Sequence, residues 1–240
     1  VVKIPKIVTQ DLIRVYRTGK SEVIALRGLD LEIQDKEVVA IQGPSGCGKT
    51  TLLNLIGGLD RPTAGSIVVD GANIVHYSDP EMVKYRRERV GFVFQFFNLV
   101  PTLTAKENVQ LPMRLAGKTS KERKSRTNEL LDLVHMHDRA IHKPDELSGG
   151  EQQRIAIAVA LANDPPLVLA DEPTGELDTD TGKQMLDLFH SLNTKYRKTV
   201  IIVTHDQRIS SIAHRTLKIE DGRIVGEVAT KRGALKSTES

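Results

Sequence analysis

Val38-Val39-Ala40-Ile41-Gln42 runs straight into Gly43-Pro44-Ser45-Gly46-Cys47-Gly48-Lys49-Thr50. Four apolar residues in a row, without alternation, read as a short strand buried on both faces. The eight residues after Gln42 match the glycine-rich phosphate-loop pattern, with Lys and Thr at its end. Glycines serve there because backbone amides must turn inward around oxygens, at dihedral angles that other residues avoid. Thr50 to Leu59 carries helical periodicity, which stops at the turn Asp60-Arg61-Pro62-Thr63-Ala64-Gly65. Strand, loop and helix in this order set a helix N-terminus against a bound anion. Lys49 is expected to reach the terminal phosphates and Thr50 to hold Mg²⁺. The loop by itself does not choose between ATP and GTP.

Working outward, a second apolar run supplies the complement. Val168-Leu169-Ala170-Asp171-Glu172 ends on two carboxylates, at the strand edge where open α/β sheets bind ligands. Asp171 is expected to accept from metal-bound water, and Glu172 to orient and deprotonate an attacking water. Neighbouring side chains on a strand point to opposite faces. The two acids therefore need different roles, or the strand must end at Asp171. His205 follows a third run, Thr199 to Val203, where a neutral imidazole can bond a terminal phosphate. Gln95 closes a fourth run that begins at Gly91. Its amide can bridge a water, a metal ion and a moving loop.

The rest of the pattern fills in an α/β domain. Lys6 to Tyr16 alternates weakly and reads as an edge strand. Ile24 to Ile33 alternates with a break that suggests a bulge or turn. Ser66 to Val69, followed by Asp70-Gly71, reads as a strand and a tight turn. These early strands suggest an antiparallel sheet beside a parallel core. Helical periodicity runs from Ala105 to His142, with a basic linker at Lys118 to Arg126, then from Ser148 to Ala162 and from Thr179 to Tyr196. Arg215 to Glu227 holds a hairpin that turns at Asp221-Gly222. Alternating strands and helices predict a three-layer α/β core. Residues 96–162 are expected to form a helical subdomain set between core segments 1–95 and 163–230, with a frayed tail over 231–240.

Composition narrows the classes. The 240 residues suit one domain with a subdomain. Lys and Arg number 34 against 31 Asp and Glu, a formal charge of +3. That balance gives no pointer to nucleic acid, and none is expected as a partner. A single cysteine excludes an internal disulfide and fits a reducing compartment. No apolar stretch reaches the ~18 residues that a membrane helix needs, and no apolar leader follows the basic N-terminal residues. The cysteine, Cys47, sits inside the phosphate loop. A small buried filler is its simpler role, and a nucleotide-gated thiol the alternative.

Leu147-Ser148-Gly149-Gly150-Glu151-Gln152-Gln153-Arg154 resembles the signature sequence of ATP-binding cassette proteins. The order of the other motifs is similar to that family as well. Tyr16 stands where the family has its adenine-stacking aromatic; the phosphate loop, Gln95, the signature, Asp171-Glu172, Leu177-Asp178 and His205 follow. The likeness spans about residues 6 to 228. It implies a P-loop NTPase core with an antiparallel β subdomain and an inserted helical subdomain. It also implies head-to-tail homodimers holding two shared ATP sites. Nucleotide contacts are then expected from Tyr16, from Gly43, Pro44, Ser45, Gly46, Cys47, Gly48, Lys49, Thr50 and Thr51, and from Ser148, Gly149 and Gly150 of the opposite copy. Mg²⁺ falls to Thr50, Gln95 and Asp171, and Glu172, His205, Lys49 and Gln95 form the expected catalytic set. A serine and glycine amides at a helix start are a natural anion site in any case.

A narrower likeness is carried by Arg86-Arg87-Glu88-Arg89-Val90-Gly91-Phe92-Val93-Phe94-Gln95 and by Asn98 to Val109. Both stretches are similar to the lipoprotein-release and macrolide-export branch. That branch implies an integral membrane permease subunit with an extracytoplasmic domain, and a cassette held peripherally at the cytoplasmic side of the cell membrane. Export, lipoprotein release or mechanotransmission would be the work done. The loop with Phe96, Phe97, Leu99 and Leu103 would pass motion to the partner. Ending at Ser240 without a span, the chain is expected to be a separate subunit or an excised domain. Glu176 departs from the branch, which more often has a neutral residue there; a carboxylate would repel a phosphate or bond across the dimer. Cassettes of chromosome maintenance carry long coiled-coil arms, for which the about 50 residues between Gln95 and Ser148 leave no room. A regulatory cassette coupled to cell-envelope remodelling would look similar, and that reading stays open.

Overall fold

The computed structural model describes residues 6–19, 21–175 and 177–230; the readings of Glu176 and of the 231–240 tail lie outside the described residues. In chain order the main elements are β1 (Ile7–Thr18), β2 (Ser21–Ile33), β3 (Val38–Gln42), α1 (Lys49–Ile56), β4 (Ala64–Val69), β5 (Ala72–Asn73), α2 (Asp79–Arg89), β6 (Val90–Val93), α3 (Ala105–Leu115), α4 (Ser120–Leu133), α5 (Gly149–Ala160), β7 (Leu167–Asp171), α6 (Thr179–Thr194), β8 (Thr199–Val203), β9 (Arg215–Glu220) and β10 (Arg223–Ala229).

The apolar runs become neighbours. A six-stranded sheet has the order β10-β9-β3-β8-β7-β6, parallel throughout except for β10 against β9. Period-two alternation divides each central strand between two cores. Val38, Ala40, Val168, Ala170, Val200 and Ile202 face a core built with Val109, Leu130, Ile155 and Phe189 from α3, α4, α5 and α6. Val39, Ile41, Leu167, Leu169, Ile201 and Val203 face the other, with Leu52, Leu53 and Ile56 of α1. A four-stranded antiparallel sheet of order β2-β1-β4-β5 closes that second core through Ile7, Leu31 and Ile67. Burying each such side chain contributes roughly 1.5–3 kcal/mol, so neither face tolerates a polar residue until the strands end. The three-layer α/β core expected from the sequence is present.

Three local readings are corrected. β1 is no edge strand: it pairs with β2 on one side and β4 on the other. Its weak alternation comes from a bulge, where Asp11 takes a φ of 44° and the register shifts between Thr9 and Leu12. Lys118 to Arg126 is no linker, since α4 begins at Ser120 behind a Thr119–Glu122 capping box. The strand before Gln95 stops at Val93, so Gln95 stands in a turn and not at the strand's end. Helix α2 went unread, although Ser78 and Glu81 form a capping box around Pro80 that announces it.

Candidate active site

The phosphate loop leaves β3 at the C-terminal edge of the parallel sheet. Its glycines are needed for different reasons. A Cβ on Gly43 would sit 2.1 Å from the Ile219 carbonyl oxygen and 2.8 Å from Cys47 Sγ. Gly48 has a φ of 103°, and a Cβ there would meet Ala25 O at 2.4 Å. The loop is thus pressed between β9 and β2, and the Asp221-Gly222 turn holds it from below. Gly222 N donates to Cys47 O at 3.0 Å, and Gly222 O accepts from Arg27 N at 3.0 Å. Cys47 is buried in the second core, 5% exposed, as a filler would be.

Gly48 caps α1 without a side-chain hydrogen bond. By contrast, Thr104, Thr119, Ser148 and Asp178 cap α3 to α6 by accepting first-turn amides through their side chains. First-turn amides lack intrahelical acceptors, and at α1 the cap residue supplies none. Lys49 Nζ donates to the carbonyl oxygens of Gly43 and Pro44, each at 2.9 Å, which draws its charge over the loop.

β7 ends at Asp171, and this resolves the two-carboxylate problem. Glu172 turns into the left-handed region, with a φ of 46°, and its amide donates to Val203 O at 2.8 Å. Asp171 therefore faces α1, where its carboxylate accepts from the Thr50 hydroxyl. Burial pushes the Asp171 carboxyl above the usual carboxylate range; the Thr50 bond and Lys49 work against that, and the charge of Glu172 adds to it. Glu172 faces the exit of β8 instead. Its Oε2 lies 3.0 Å from His205 Nδ1 and accepts the His205 amide at 3.2 Å. The Glu172 side chain is 15% exposed and that of His205 73%. A contact so open on one side adds little stability, so its effect is orientation, with Nδ1 turned to Glu172.

The remaining candidates lie around this edge or apart from it. A Cβ on Gly175 would be 3.9 Å from Gln95 Nε2 and 3.7 Å from the Glu172 Cβ, so the Gln95 amide shares the turn after Glu172. Thr51 follows Thr50 in α1. Tyr16 is half-buried, with its hydroxyl bonded to Asp60 at 2.8 Å. Ser148 caps α5, its amide donating to Glu151 Oε2 at 2.8 Å. Gly149 and Gly150 abut Phe97 and Thr181. The described contacts of this signature segment run to the loop after Gln95, to α6 and, through Glu151 and Arg154, to Arg139 and Met136, and none of them is with the phosphate loop of the same chain.

Sequence reasoning missed Asp206, which joins two parts of the edge. Its carboxylate accepts from the Thr174 hydroxyl at 3.1 Å and from Arg208 Nη2 at 2.7 Å, and Arg208 Nη1 donates to Thr179 O at 3.1 Å. The Arg208 bonds hold the Asp206 carboxyl below the usual range. An acid next to His205 with an arginine two residues on was the available signal.

The sheet edge thus brings together a glycine loop at a helix start, one lysine, a hydroxyl–carboxylate pair and a glutamate in contact with a histidine. Comparison with known proteins agrees with that chemistry. The family model described as "ABC transporter" matches residues 26–175. The chain is 48% identical over 200 residues to the lipoprotein-releasing system ATP-binding protein LolD of Bacteroides fragilis, covering 83% of this chain and 93% of the relative. It is 43% identical over 230 residues to the macrolide export ATP-binding/permease protein MacB of Hyphomonas neptunium, covering 96% of this chain but 36% of that longer protein. Among solved structures, a dimeric post-hydrolysis state of the ATP-binding cassette MJ0796 bound to ADP and Pi superposes with a TM-score of 0.88 at 42% identity, covering 93% of this chain and 98% of the other. The chain belongs to the ABC transporter family, as an ATP-hydrolysing cassette of the branch that includes LolD and MacB.

Proposed function

We propose that this cassette is a motor subunit: two copies close head to tail on ATP and drive a separate membrane subunit from its cytoplasmic side. Tyr16 stacks on the base, and Gly43 to Thr51 enclose the phosphates. Ser148, Gly149 and Gly150 of a second copy cover the terminal phosphate. The observation that carries the hydrolytic part is the divergence of Asp171 and Glu172, one toward Thr50 and the other toward His205. Among the described residues no group of three His, Cys, Asp or Glu gathers to hold a metal by itself. The hydroxyl–carboxylate pair of Thr50 and Asp171 is a hard-oxygen donor set that suits Mg²⁺ completed by phosphate oxygens, with Gln95 as a further oxygen donor. Bound there, Mg²⁺ would neutralise charge on the phosphates.

Glu172 takes a proton from water as the water oxygen bonds to the terminal phosphorus and the bond to the bridging oxygen breaks. ADP and phosphate result. Lys49 and the loop amides stabilise the charge on the transferring group, and His205 holds Glu172 and the terminal phosphate in line. Among the described residues both hydrogen-bond contacts of the Glu172 carboxylate fall on Oε2, so Oε1 is the oxygen that takes the proton.

Three observations support a membrane partner. Among the described residues no helix is long and apolar enough to cross a membrane. The MacB relative joins an ATP-binding part and a permease part in one name. A cleft of about 550 Å³ between α2, β6, α3 and α5 is lined by Val83, Phe92, Leu115 and Val159 beside Arg86 and Arg87, and Phe96 and Leu115 are 73% and 72% exposed. That is the surface for a short helix of the permease, whose extracytoplasmic domain would do the work of export, lipoprotein release or mechanotransmission. Co-purification of the chain from its native membrane tests this. A permease-type subunit that is lost on Leu115→Asp supports the reading; recovery with ribosomes or DNA and no membrane subunit overturns it.

A further inference from the structure

We propose that Arg14 and Asp60 are positioning residues for the nucleobase, acting through Tyr16, so that helix α1 ties the base platform to the phosphate loop. The proposal rests on the reading of Tyr16 as the base-stacking ring.

The Arg14 guanidinium carbon lies 4.4 Å from the Tyr16 ring centroid, over one face of the ring. Asp60 holds both partners. Its Oδ2 accepts the Tyr16 hydroxyl at 2.8 Å, and its Oδ1 lies 2.8 Å from Arg14 Nη2 and accepts the Arg61 amide at 2.8 Å. Both carboxylate oxygens are thus engaged. The Arg14 and Asp60 side chains are 23% and 24% exposed, sheltered enough for the pair to keep its geometry. A tyrosine ring otherwise turns broadly about χ2. A cation on one face and a hydrogen bond at the far end remove that freedom, and a platform ordered before binding loses less entropy when the base arrives. The face away from Arg14 is the one left to a base.

The position of Asp60 gives the arrangement a second meaning. The amides of Leu59 and Asp60 both return to Asn54 O, at 2.8 and 3.3 Å, so Asp60 rides on the last turn of α1. The first turn of the same helix carries Lys49 and Thr50. β2 closes the circuit. Ala25 O would meet a Cβ on Gly48 at 2.4 Å, and Val23 pairs with Tyr16 across β1 and β2. One rigid helix and one strand pair therefore set the spacing between ring and phosphate loop. Asp60 also neutralises Arg14, which makes the cation a partner of the ring and a poor attractor of phosphate.

The test compares two ligands, ATP and inorganic tripolyphosphate, by calorimetry with Mg²⁺ on the full chain, together with the melting temperature. Tyr16→Ala is the reference. Arg14→Met, Asp60→Ala and the conservative Tyr16→Phe are each expected to weaken ATP about three- to tenfold, with tripolyphosphate affinity held within about twofold. Weakened ATP in Tyr16→Ala with parent-like ATP affinity in Arg14→Met and Asp60→Ala overturns the positioning role and leaves the base-stacking reading intact. Parent-like ATP affinity in Tyr16→Ala overturns that reading and the proposal with it. Equal loss of both ligands in the Arg14 and Asp60 variants assigns them to the fold alone and also overturns the proposal. Should Asp60→Ala fail to fold, Tyr16→Phe removes the same hydrogen bond with the ring kept.

Discussion

Glu172 Oε2 and His205 Nδ1 are 3.0 Å apart, although the two residues leave different strands and stand 33 positions apart in the chain. The contact exists because β7 and β8 are adjacent in register, Asp171 opposite Val203, and both strands stop at the same sheet edge. A carboxylate held by an exposed histidine depends on it for direction and little for stability. Glu172→Gln is expected to lower ATP turnover about 10²- to 10⁴-fold with ATP binding retained. His205→Ala should lower it as well, and the double variant should be no slower than Glu172→Gln alone. Phosphate release by all three gives the answer: additive losses would show that the two residues act separately, and unchanged turnover in Glu172→Gln would remove it from the chemistry.

Asp171 opposes stability to function. Its carboxyl is raised by burial, so between the unfolded and folded pKa values the folded protein binds the extra proton. Stability from this group is full below the ordinary carboxylate range and is lost as pH rises through the raised folded value. At neutral pH the charged form is a cost. Asp171→Asn is therefore expected to raise the melting temperature of the nucleotide-free chain at pH 7, with the gain shrinking toward acid pH, while Mg²⁺-dependent ATP turnover falls. Calorimetric melts across pH check this; a destabilised variant at pH 7 contradicts the sign.

Ser148 caps α5, and substitution can separate that role from the proposed cover of a phosphate in the second copy. Its hydroxyl oxygen accepts the Glu151 amide at 3.3 Å and caps α5, a contact worth about 1 kcal/mol. Aspartate caps helices as well as serine does, but its charge would repel a phosphate. Ser148→Asp should keep a melting temperature within about 3 °C of the parent and fail to dimerise on ATP in a Glu172→Gln background. Light scattering at saturating ATP reads the mass. Dimers as abundant as in the Glu172→Gln parent would show that Ser148 does not face the second site.

Gly43 is needed for space, Gly46 for conformation. A Cβ on Gly43 would lie 2.1 Å from a backbone oxygen that cannot step aside, whereas one on Gly46 meets nothing within 4 Å, although its φ is 78°. Gly43→Ala should lower the melting temperature by about 5 °C or more, from a clash of about 2 kcal/mol, and Gly46→Ala by less. Thermal melts without nucleotide rank the two, and the reverse order would refute the packing account.

Much of this protein was legible in its local sequence because short-range rules governed those parts. Val38 to Gln42, Leu167 to Asp171 and Thr199 to Val203 announce buried strands, since a two-sided core excludes polar side chains. The phosphate loop is a contiguous device, and its eight residues carry their own context. The signature helix declares its start through Ser148 and Glu151. Other features were hidden because they depend on residues far apart in the chain. The weak alternation of β1 looked like an edge, but a bulge at Asp11 produced it inside a paired strand. The roles of Asp171 and Glu172 were ambiguous on strand geometry, and only the left-handed turn at Glu172, bonded to Val203 of another strand, sends them apart.

The sequence by itself determined the nucleotide chemistry and the family, because those rest on motifs of adjacent residues. Tertiary structure alone decided which side chains act together. Glu172 meets His205, Asp206 joins Thr174 to Arg208, and Asp60 meets both Arg14 and Tyr16. Each of these arrangements joins separate elements of the fold, and sequence separation carries no record of which residues the sheets and α1 bring within hydrogen-bond reach.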